Sequence, residues 1–358
     1  MTNFLINRTD AIGDTLLSTP LAKFIKDKVP DAHITFLVSK RSGDFIKLCQ
    51  GVDDVIVYDE KELGFFGRFI FLHKLFRDRE ISFYFHLGGS FLPTFVAFLK
   101  KVAFRGGLRS KVFSFLFLNK GMRQSRSIVT MHESEYNMNL AASLGFFYQA
   151  SQKENYRPLL NLDEAKLLEK SKTFPIDLEK QNILIHPGMS GHTLNWSSRN
   201  YGRLICRLEE RFSDRFNYII SFTPSDEPYL EGLRSYLESD KEAEEKVTFF
   251  NGAENGLIDY SYLVKSVDLF IGPSTGTSHI ANAVRTPQVA LYSPIKAQSV
   301  MRWGPYSRNE DVQVLVPDVV CGESRVCAGA ACPYYECMAK IEVEDVVKAC
   351  IEILDRKR

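Results

Sequence analysis

The chain of 358 residues carries no excess of either charge: 45 Lys and Arg stand against 44 Asp and Glu, a formal net charge of +1. That balance argues against a nucleic-acid binder, which is ordinarily basic across the domain. Long apolar runs are also missing. The longest stretch free of Asp, Glu, Lys and Arg is Ile81–Leu99, and His86, Gly88, Gly89, Ser90 and Pro93 interrupt its middle. A strand over Ile81–Leu87, a turn and a helix over Ser90–Leu99 explain it better than a bilayer span, which takes roughly 20 apolar residues. The first seven residues do not read as a secretory signal, because Arg8 and Asp10 follow at once. A cytoplasmic protein that touches the membrane without crossing it is the expectation. The 22 glycines and 14 prolines are ordinary counts that exclude collagen-like and disordered chains. Short-period repeats and low-complexity tracts are absent.

Two chemical signatures are missing as well. No G-x-G-x-x-G follows the early strand signals, which weighs against a dinucleotide-dependent oxidoreductase. The cysteine cluster Cys321, Cys327, Cys332 and Cys337 has gaps of five, four and four residues, without the C-x-x-C pairs of a zinc site. Stable disulfides are not expected in the cytoplasm. Free thiols are therefore the expected state, with a structural zinc as the alternative.

What the chain has in excess is phenylalanine, in one place. Residues 61–126 hold 14 of the 27 Phe and 13 Lys or Arg, against only Glu62, Asp78 and Glu80, a local net charge of +10. The near-neutral total conceals a basic, aromatic segment. Such a mixture suits an anionic membrane surface or an anionic amphiphile. The other reading is a Phe-rich core with solvated charges around it.

Hydrophobic patterning alternates strand and helix. Strand signals at Phe4–Asn7, Ile34–Val38 and Val55–Tyr58 are interleaved with helix signals from Thr15 to Lys28 and over Gly43–Cys49. A second series begins at Ile183–His186 and continues through Tyr218–Phe222, Val247–Phe250, Leu269–Gly272 and Val289–Tyr292. Helices are expected near Asn200–Phe212, Glu227–Leu237 and Leu257–Val264, from Thr275, and over Val343–Leu354. The βαβα order implies an α/β fold with two parallel sheets covered on both faces. The expected organisation is a Rossmann-like domain over 1–165, a linker at 166–181, a second Rossmann-like domain over 182–340 and a terminal helix at 341–358. Two such halves place a ligand in the cleft between them, at the carboxyl ends of the strands.

Three segments carry polar chemistry at strand ends. In Asn7-Arg8-Thr9-Asp10-Ala11-Ile12-Gly13-Asp14, Asp14 falls at a helix start, where a carboxylate is either a simple cap or a reactive group. In His186-Pro187-Gly188-Met189-Ser190-Gly191-His192-Thr193-Leu194-Asn195-Trp196, small residues and hydroxyls can wrap phosphate oxygens, although such loops also serve as turns. In Gly272-Pro273-Ser274-Thr275-Gly276-Thr277-Ser278-His279, a strand runs into a helix whose free N–H groups face an anion. His279 lies one turn in, either facing that ligand or satisfied in the core.

Together these segments resemble glycosyltransferase family 9, the lipopolysaccharide heptosyltransferases. The resemblance covers most of the chain in order: Arg8-x-x-x-x-Gly13-Asp14 with Leu16-Leu17-x-x-Pro20, then the His-Pro-Gly loop ending in Asn195-Trp196. Gly272-x-x-Thr275-Gly276-x-x-His279-x-Ala281-x-Ala283, Thr286-Pro287, Tyr292-x-Pro294 and Trp303-Gly304-Pro305 follow. It implies a GT-B architecture and an inverting, metal-independent transfer of heptose from ADP-heptose to an anionic, lipid A-linked acceptor at the cytoplasmic face of the inner membrane. Asp14 matches the family's catalytic base. Ser190, His192, Thr193, Asp226, Ser274, Thr275, Gly276, Thr277 and His279 are the implied donor contacts. Arg8, Arg105, Arg109, Arg123 and Arg126 are candidate acceptor contacts, chosen by charge and domain. Two positions depart from the family pattern. Leu194 stands where a donor-phosphate Lys is usual, and Ser274 where a sugar-contacting Asp is usual. Another nucleotide-sugar, or a nucleotide-sugar-binding protein without turnover, is the alternative reading.

Overall fold

A computed structural model describes residues 2–189, 191, 193–307, 310–321 and 326–356. The chain divides into two compact units between Asn161 and Leu162, slightly ahead of the expected boundary at 165. The charged helix Glu164–Ser171, partly within the expected linker, belongs to the second unit. It packs on the helix Gly256–Ser266, with Lys170 Nζ 2.8 Å from Asp259 Oδ1.

The first unit is built on six parallel strands: β1 (Thr2–Arg8), β2 (Ala32–Val38), β3 (Asp54–Val57), β4 (Phe83–Gly88), β5 (Phe104–Leu108) and β6 (Lys120–Met122). Their spatial order is β3-β2-β1-β4-β5-β6. Phe4, Leu5 and Ile6 of β1 are buried as a continuous run, as expected of a strand covered on both faces. The chain steps outward from β1 to β3, returns to the centre at β4 and then runs out to β6. That reversal leaves a crevice at the carboxyl ends of β1 and β4, where open α/β sheets bind ligands.

The second unit repeats the plan with β7 (Gln181–Ile185), β8 (Phe216–Phe222), β9 (Val247–Asn251), β10 (Leu269–Pro273), β11 (Gln288–Leu291) and β12 (Val312–Leu315), in the order β12-β11-β10-β7-β8-β9. Its strands are also parallel, and its reversal lies between β7 and β10. The helix Val343–Asp355 is not a separate appendage. Val346, Cys350 and Ile353 are buried in the same core as Ile183, Ile271 and the helix Ser198–Phe212. Trp196 is sealed beneath, and its Nε1 donates to Ile341 O at 2.8 Å, joining the His-Pro-Gly loop to the approach of this helix.

Some local expectations change in detail. The single helix expected over Thr15–Lys28 is two, Ile12–Leu16 and Pro20–Lys28. Pro20 lacks the N–H that would continue the first helix and suits the opening of the second. Gly43–Leu48 is a 3-10 helix, and the segment before the helix Glu231–Leu237 is a 3-10 turn over Pro224–Tyr229. β5 and β6 were not individually legible, because Gly106, Gly107 and Gly121 interrupt the apolar pattern.

Ile271 sits in the middle of β10 with no exposed surface. Ile271→Ala is expected to cost about 2–5 kcal/mol, read from the urea midpoint by circular dichroism. An unchanged midpoint would contradict this core placement.

Candidate active site

At the crevice of the first sheet, Arg8 ends β1 with its side chain only 4% exposed. A buried guanidinium needs compensating charge, and three carboxylates and a backbone carbonyl surround it. Nε lies 2.8 Å from Asp10 Oδ1, Nη2 pairs with Asp14 and lies 3.8 Å from Glu133 Oε1, and Nη1 donates to Leu87 O at 2.7 Å. Burial works against the charged form, but Asp10, Asp14 and Glu133 outweigh it and hold the Arg8 pKa above its usual value. Asp10 is affected in the opposite sense. Burial, with help from Asp14 and against the pull of Arg8, pushes its pKa up to about 6.

Asp14 lies in the first turn of the helix Ile12–Leu16, but it is not the cap. Ala11 occupies that position and supplies no side-chain bond. The Asp14 carboxylate is committed to Arg8, and its side chain remains 26% exposed. The turn after β4 closes over this loop. Gly89 has φ +77°, and a Cβ there would fall 2.2 Å from Thr9 Oγ1, so glycine is required on both counts. His86, beneath the turn, accepts from Asn7 Nδ2 at Nδ1 (3.0 Å). Burial, then Arg8 and Lys111, push its pKa down to about 4.

The other candidate acceptor contacts separate into three kinds. Arg126 is buried and pairs with Glu133, so it belongs to the support of the Arg8 cluster. Arg105 and Arg109 are half-buried: Arg105 Nε donates to Phe117 O (2.8 Å) and Arg109 Nη2 to Leu118 O (2.7 Å). Arg123 alone of the four is exposed.

In the second unit, β10 lies beside β7, and β7 beside β8, so the loops that follow them are neighbours. His186 is buried at the end of β7, with Nδ1 3.0 Å from Ser221 O and 3.1 Å from Ser221 Oγ. Burial lowers its pKa against the opposing influence of Asp226 and Ser221. Gly188 admits Asp226 to the loop, since a Cβ on Gly188 would lie 2.2 Å from the Asp226 Cγ. Asp226 Oδ2 accepts from Thr223 N (2.8 Å) and Thr223 Oγ1 (2.7 Å). Thr193 Oγ1 donates to Gln298 Oε1 at 2.8 Å, and Leu194 packs against the core. Ser190 and His192 lie outside the described residues.

β10 runs through Ser274 into the helix Gly276–Ala283. Thr275 is its N-cap residue with extended backbone, yet its hydroxyl makes no cap bond and pairs with Thr277 Oγ1 at 2.7 Å. The first-turn N–H groups, with the positive end of the helix dipole, present donors suited to an anion. His279 is buried in this helix, burial pushes its pKa down to about 4, and its Nδ1 has no partner among the described residues. It is a neutral imidazole with a free nitrogen, unlike a satisfied core histidine. A strand-end loop bearing small residues, an inserted carboxylate and a helix N-terminus together suit a nucleotide diphosphate.

The family model for glycosyltransferase family 9 (heptosyltransferase) matches residues 77–326. The chain belongs to glycosyltransferase family 9. It is 22% identical over 317 residues to the Haemophilus influenzae lipopolysaccharide core heptosyltransferase OpsX, covering 86% of this chain and 82% of that protein. It is 25% identical over 312 residues to another Haemophilus influenzae protein, named no more finely than a glycosyltransferase, covering 85% and 86%. Among solved structures, the E. coli ADP-heptose lipopolysaccharide heptosyltransferase II superposes with a TM-score of 0.80 at 19% identity, over 100% of this chain and 99% of that one. The GT-B fold and transferase class expected for this family member are therefore established.

The family member's four clustered cysteines, Cys321, Cys327, Cys332 and Cys337, are all free and line one cavity of about 390 Å³ with Leu194 and Ile295. Among the described residues no three His, Cys, Asp or Glu side chains are grouped to hold a metal ion. Three polar residues of the first site were not singled out by sequence: Asp10, Glu133 and His86. Asp10 was visible within the Arg-x-Asp spacing. Glu133 and His86 reach the site from distant segments, with no local signal.

The native pKa of Asp10, about 6 against an ordinary 3.8, means that the folded chain holds its proton more tightly than the unfolded one. Its contribution to stability is greatest below the lower value, falls as pH rises to about 6 and is level above. The stability of the wild type minus that of Asp10→Asn is expected to fall across this window in urea titrations at stepped pH. A rising difference would reverse the assignment.

Proposed function

We propose that this family 9 transferase moves heptose from ADP-heptose to an anionic, lipid-linked saccharide of the lipopolysaccharide inner core, inverting the anomeric centre with Asp14 as general base. The observation that carries this reading is the Asp14 carboxylate, held by buried Arg8 at the sheet reversal yet still partly exposed. Asp14 accepts the proton of the acceptor hydroxyl while the hydroxyl oxygen bonds to the anomeric carbon. The bond from that carbon to the ADP oxygen breaks, and its electron pair leaves with ADP. Inversion requires only this one base on the face opposite the leaving group. Arg8 acts by fixing Asp14 and Asp10, since its buried guanidinium is paired with carboxylates inside the protein.

In the second unit, the charge on departing ADP is met by the first-turn N–H groups of Gly276–Ala283 and the hydroxyls of Thr275 and Thr277. Thr193, with Ser190 and His192, completes the phosphate contacts, Asp226 is directed to the nucleoside, and Ser274 and His279 to the sugar. The naming of relatives as heptosyltransferases, one of them for ADP-heptose, supports this donor. Leu194 and Ser274, which replace a cation and a carboxylate of the family pattern, favour another nucleotide-sugar as the second reading. The lipid-linked acceptor brings the reaction to the cytoplasmic face of the inner membrane. Among the described residues no helix is long and apolar enough to cross one.

Asp14→Asn is expected to lower the transfer rate by about 10²–10⁴-fold while leaving the ADP dissociation constant within a factor of about two. Undiminished transfer would remove Asp14 from the role of base. Calorimetric titration with ADP, ADP-heptose and UDP-glucose in parallel is expected to show binding of the two adenine compounds only. Preference for UDP-glucose would leave the transferase and change its sugar.

A further inference from the structure

The basic, aromatic segment of the first unit forms a surface that the chemistry above does not use. The crossovers β3 to β4, β4 to β5 and β5 to β6 all step the same way across the sheet. Being right-handed, they place the helices Gly64–Asp78, Leu92–Leu99 and Val112–Phe117 on one face. The middle helix is clasped between the others, with the Phe117 ring 5.3 Å from Phe95 and 5.1 Å from Phe98. Leu72, Leu75 and Phe76 turn inward with Val96 and Ala97.

The core does not take the remaining apolar side chains. Phe65, Phe66 and Ile70 on the first helix, and Val112, Phe113 and Leu116 on the third, point into solvent. Phe66 is 81% exposed and Phe113 60%. Helical spacing puts Phe66 with Ile70, and Val112 with Leu116, each on one stripe. Both helices begin at the carboxyl edge of the sheet, so their exposed first turns share that edge. Arg105 and Arg109 brace this surface from within. Their guanidinium groups lie 5.5 Å from the Phe98 ring and 5.7 Å from the Phe115 ring while bonding backbone carbonyls.

Around the second and third helices the charge is of one sign, whereas at the first the carboxylates Glu60, Glu62 and Asp78 are paired with Arg68, Lys40 and Arg77. From Ile81 to His132 there is no Asp or Glu and there are eight Lys or Arg. Lys101, Lys111, Lys120 and Arg123 are exposed and pair with no carboxylate among the described residues. A second copy of this chain would bring the same unpaired cations against each other, which disfavours a symmetric dimer here. A bilayer with anionic headgroups satisfies both features at once. Aromatic rings enter the boundary between headgroups and acyl chains, and Lys and Arg meet the phosphates.

We propose that the exposed faces of Gly64–Asp78 and Val112–Phe117 are an anionic-lipid docking surface, with Phe66 and Phe113 inserted and Lys111 and Lys120 on the phosphates. Its purpose rests on the lipid-linked acceptor proposed above, but the surface itself does not depend on the donor sugar. The test is co-sedimentation of the full chain with vesicles of phosphatidylcholine alone and of phosphatidylcholine mixed with phosphatidylglycerol. The wild type is expected to bind the anionic vesicles, with salt weakening it, and to bind the neutral ones poorly. Phe66→Ser with Phe113→Ser, and separately Lys111→Glu with Lys120→Glu, are each expected to lower partitioning by about tenfold or more. All four positions are exposed, so thermal midpoint and ADP binding should not change. Wild-type protein that ignores anionic vesicles, or variants that bind them equally well, would overturn the proposal. So would a dimer in sedimentation velocity that the Phe variants dissociate, because the surface would then belong to a second copy. Lost transfer to a deacylated, soluble acceptor with vesicle binding intact would count against the proposed function instead.

Discussion

The constraint on which the rest depends is the reversal of strand order in each all-parallel sheet. Parallel strands require crossovers, and crossovers of one hand cover one face for each direction of travel. A sheet that is to be covered on both faces must therefore change direction once. At that point the loops after the two central strands diverge and leave backbone and side chains free at the carboxyl edge. In the first unit those loops carry Arg8 to Asp14 and Gly88–Gly89. In the second they carry the His-Pro-Gly segment and Ser274 to Thr277.

Within the first site the buried Arg8 dictates its surroundings. A guanidinium withdrawn from water needs opposite charge close by, and three carboxylates together with a backbone carbonyl supply it. The same demand explains why Glu133 and Arg126, far along the chain, are buried. They extend the ion pairs behind Arg8 and do not offer charge to solvent. Asp10 and Asp14 share one cation and are similarly exposed, with side chains 33% and 26% accessible, but they differ in support. Asp14 stands on a helix start, and Asp10 lies in the loop under Gly88.

The proposed donor site is built by different means. It gathers few full charges and relies on backbone donors, hydroxyls and an uncharged imidazole. A nucleotide diphosphate brings its own negative charge, and preorganised dipoles suit charge that grows on a leaving oxygen. The excess of cations over carboxylates lies on the first unit instead, in residues 61–126. There Phe98 and Phe115 lie over arginines and the outer phenylalanines remain in solvent. The choice between a Phe-rich core and a Phe-rich surface is thus answered both ways: Phe76, Phe85 and Phe104 are core, and Phe66 and Phe113 are not.

Most strands and the three polar loops were legible in the sequence, because buried parallel strands read as short apolar runs and strand ends read as Gly, Ser, Thr and His. Family membership was legible for the same reason, since its motifs lie in those local loops. The break at Pro20 is local, since proline cannot donate the N–H that would continue the first helix. β5 and β6 were obscured by glycines, which carry no side chain to register a pattern. Contacts between distant segments lay beyond reach. Nothing near Glu133 shows that it is buried against Arg8, nothing near Asp226 shows that it meets Gly188, and nothing within the run of phenylalanines shows which of them face water. Sequence by itself determined which segments form strands and helices and which loops carry chemistry, since these follow from neighbours along the chain. Tertiary structure alone decided which charges are buried together and which aromatic rings stay exposed, because burial is set by residues that meet only after folding.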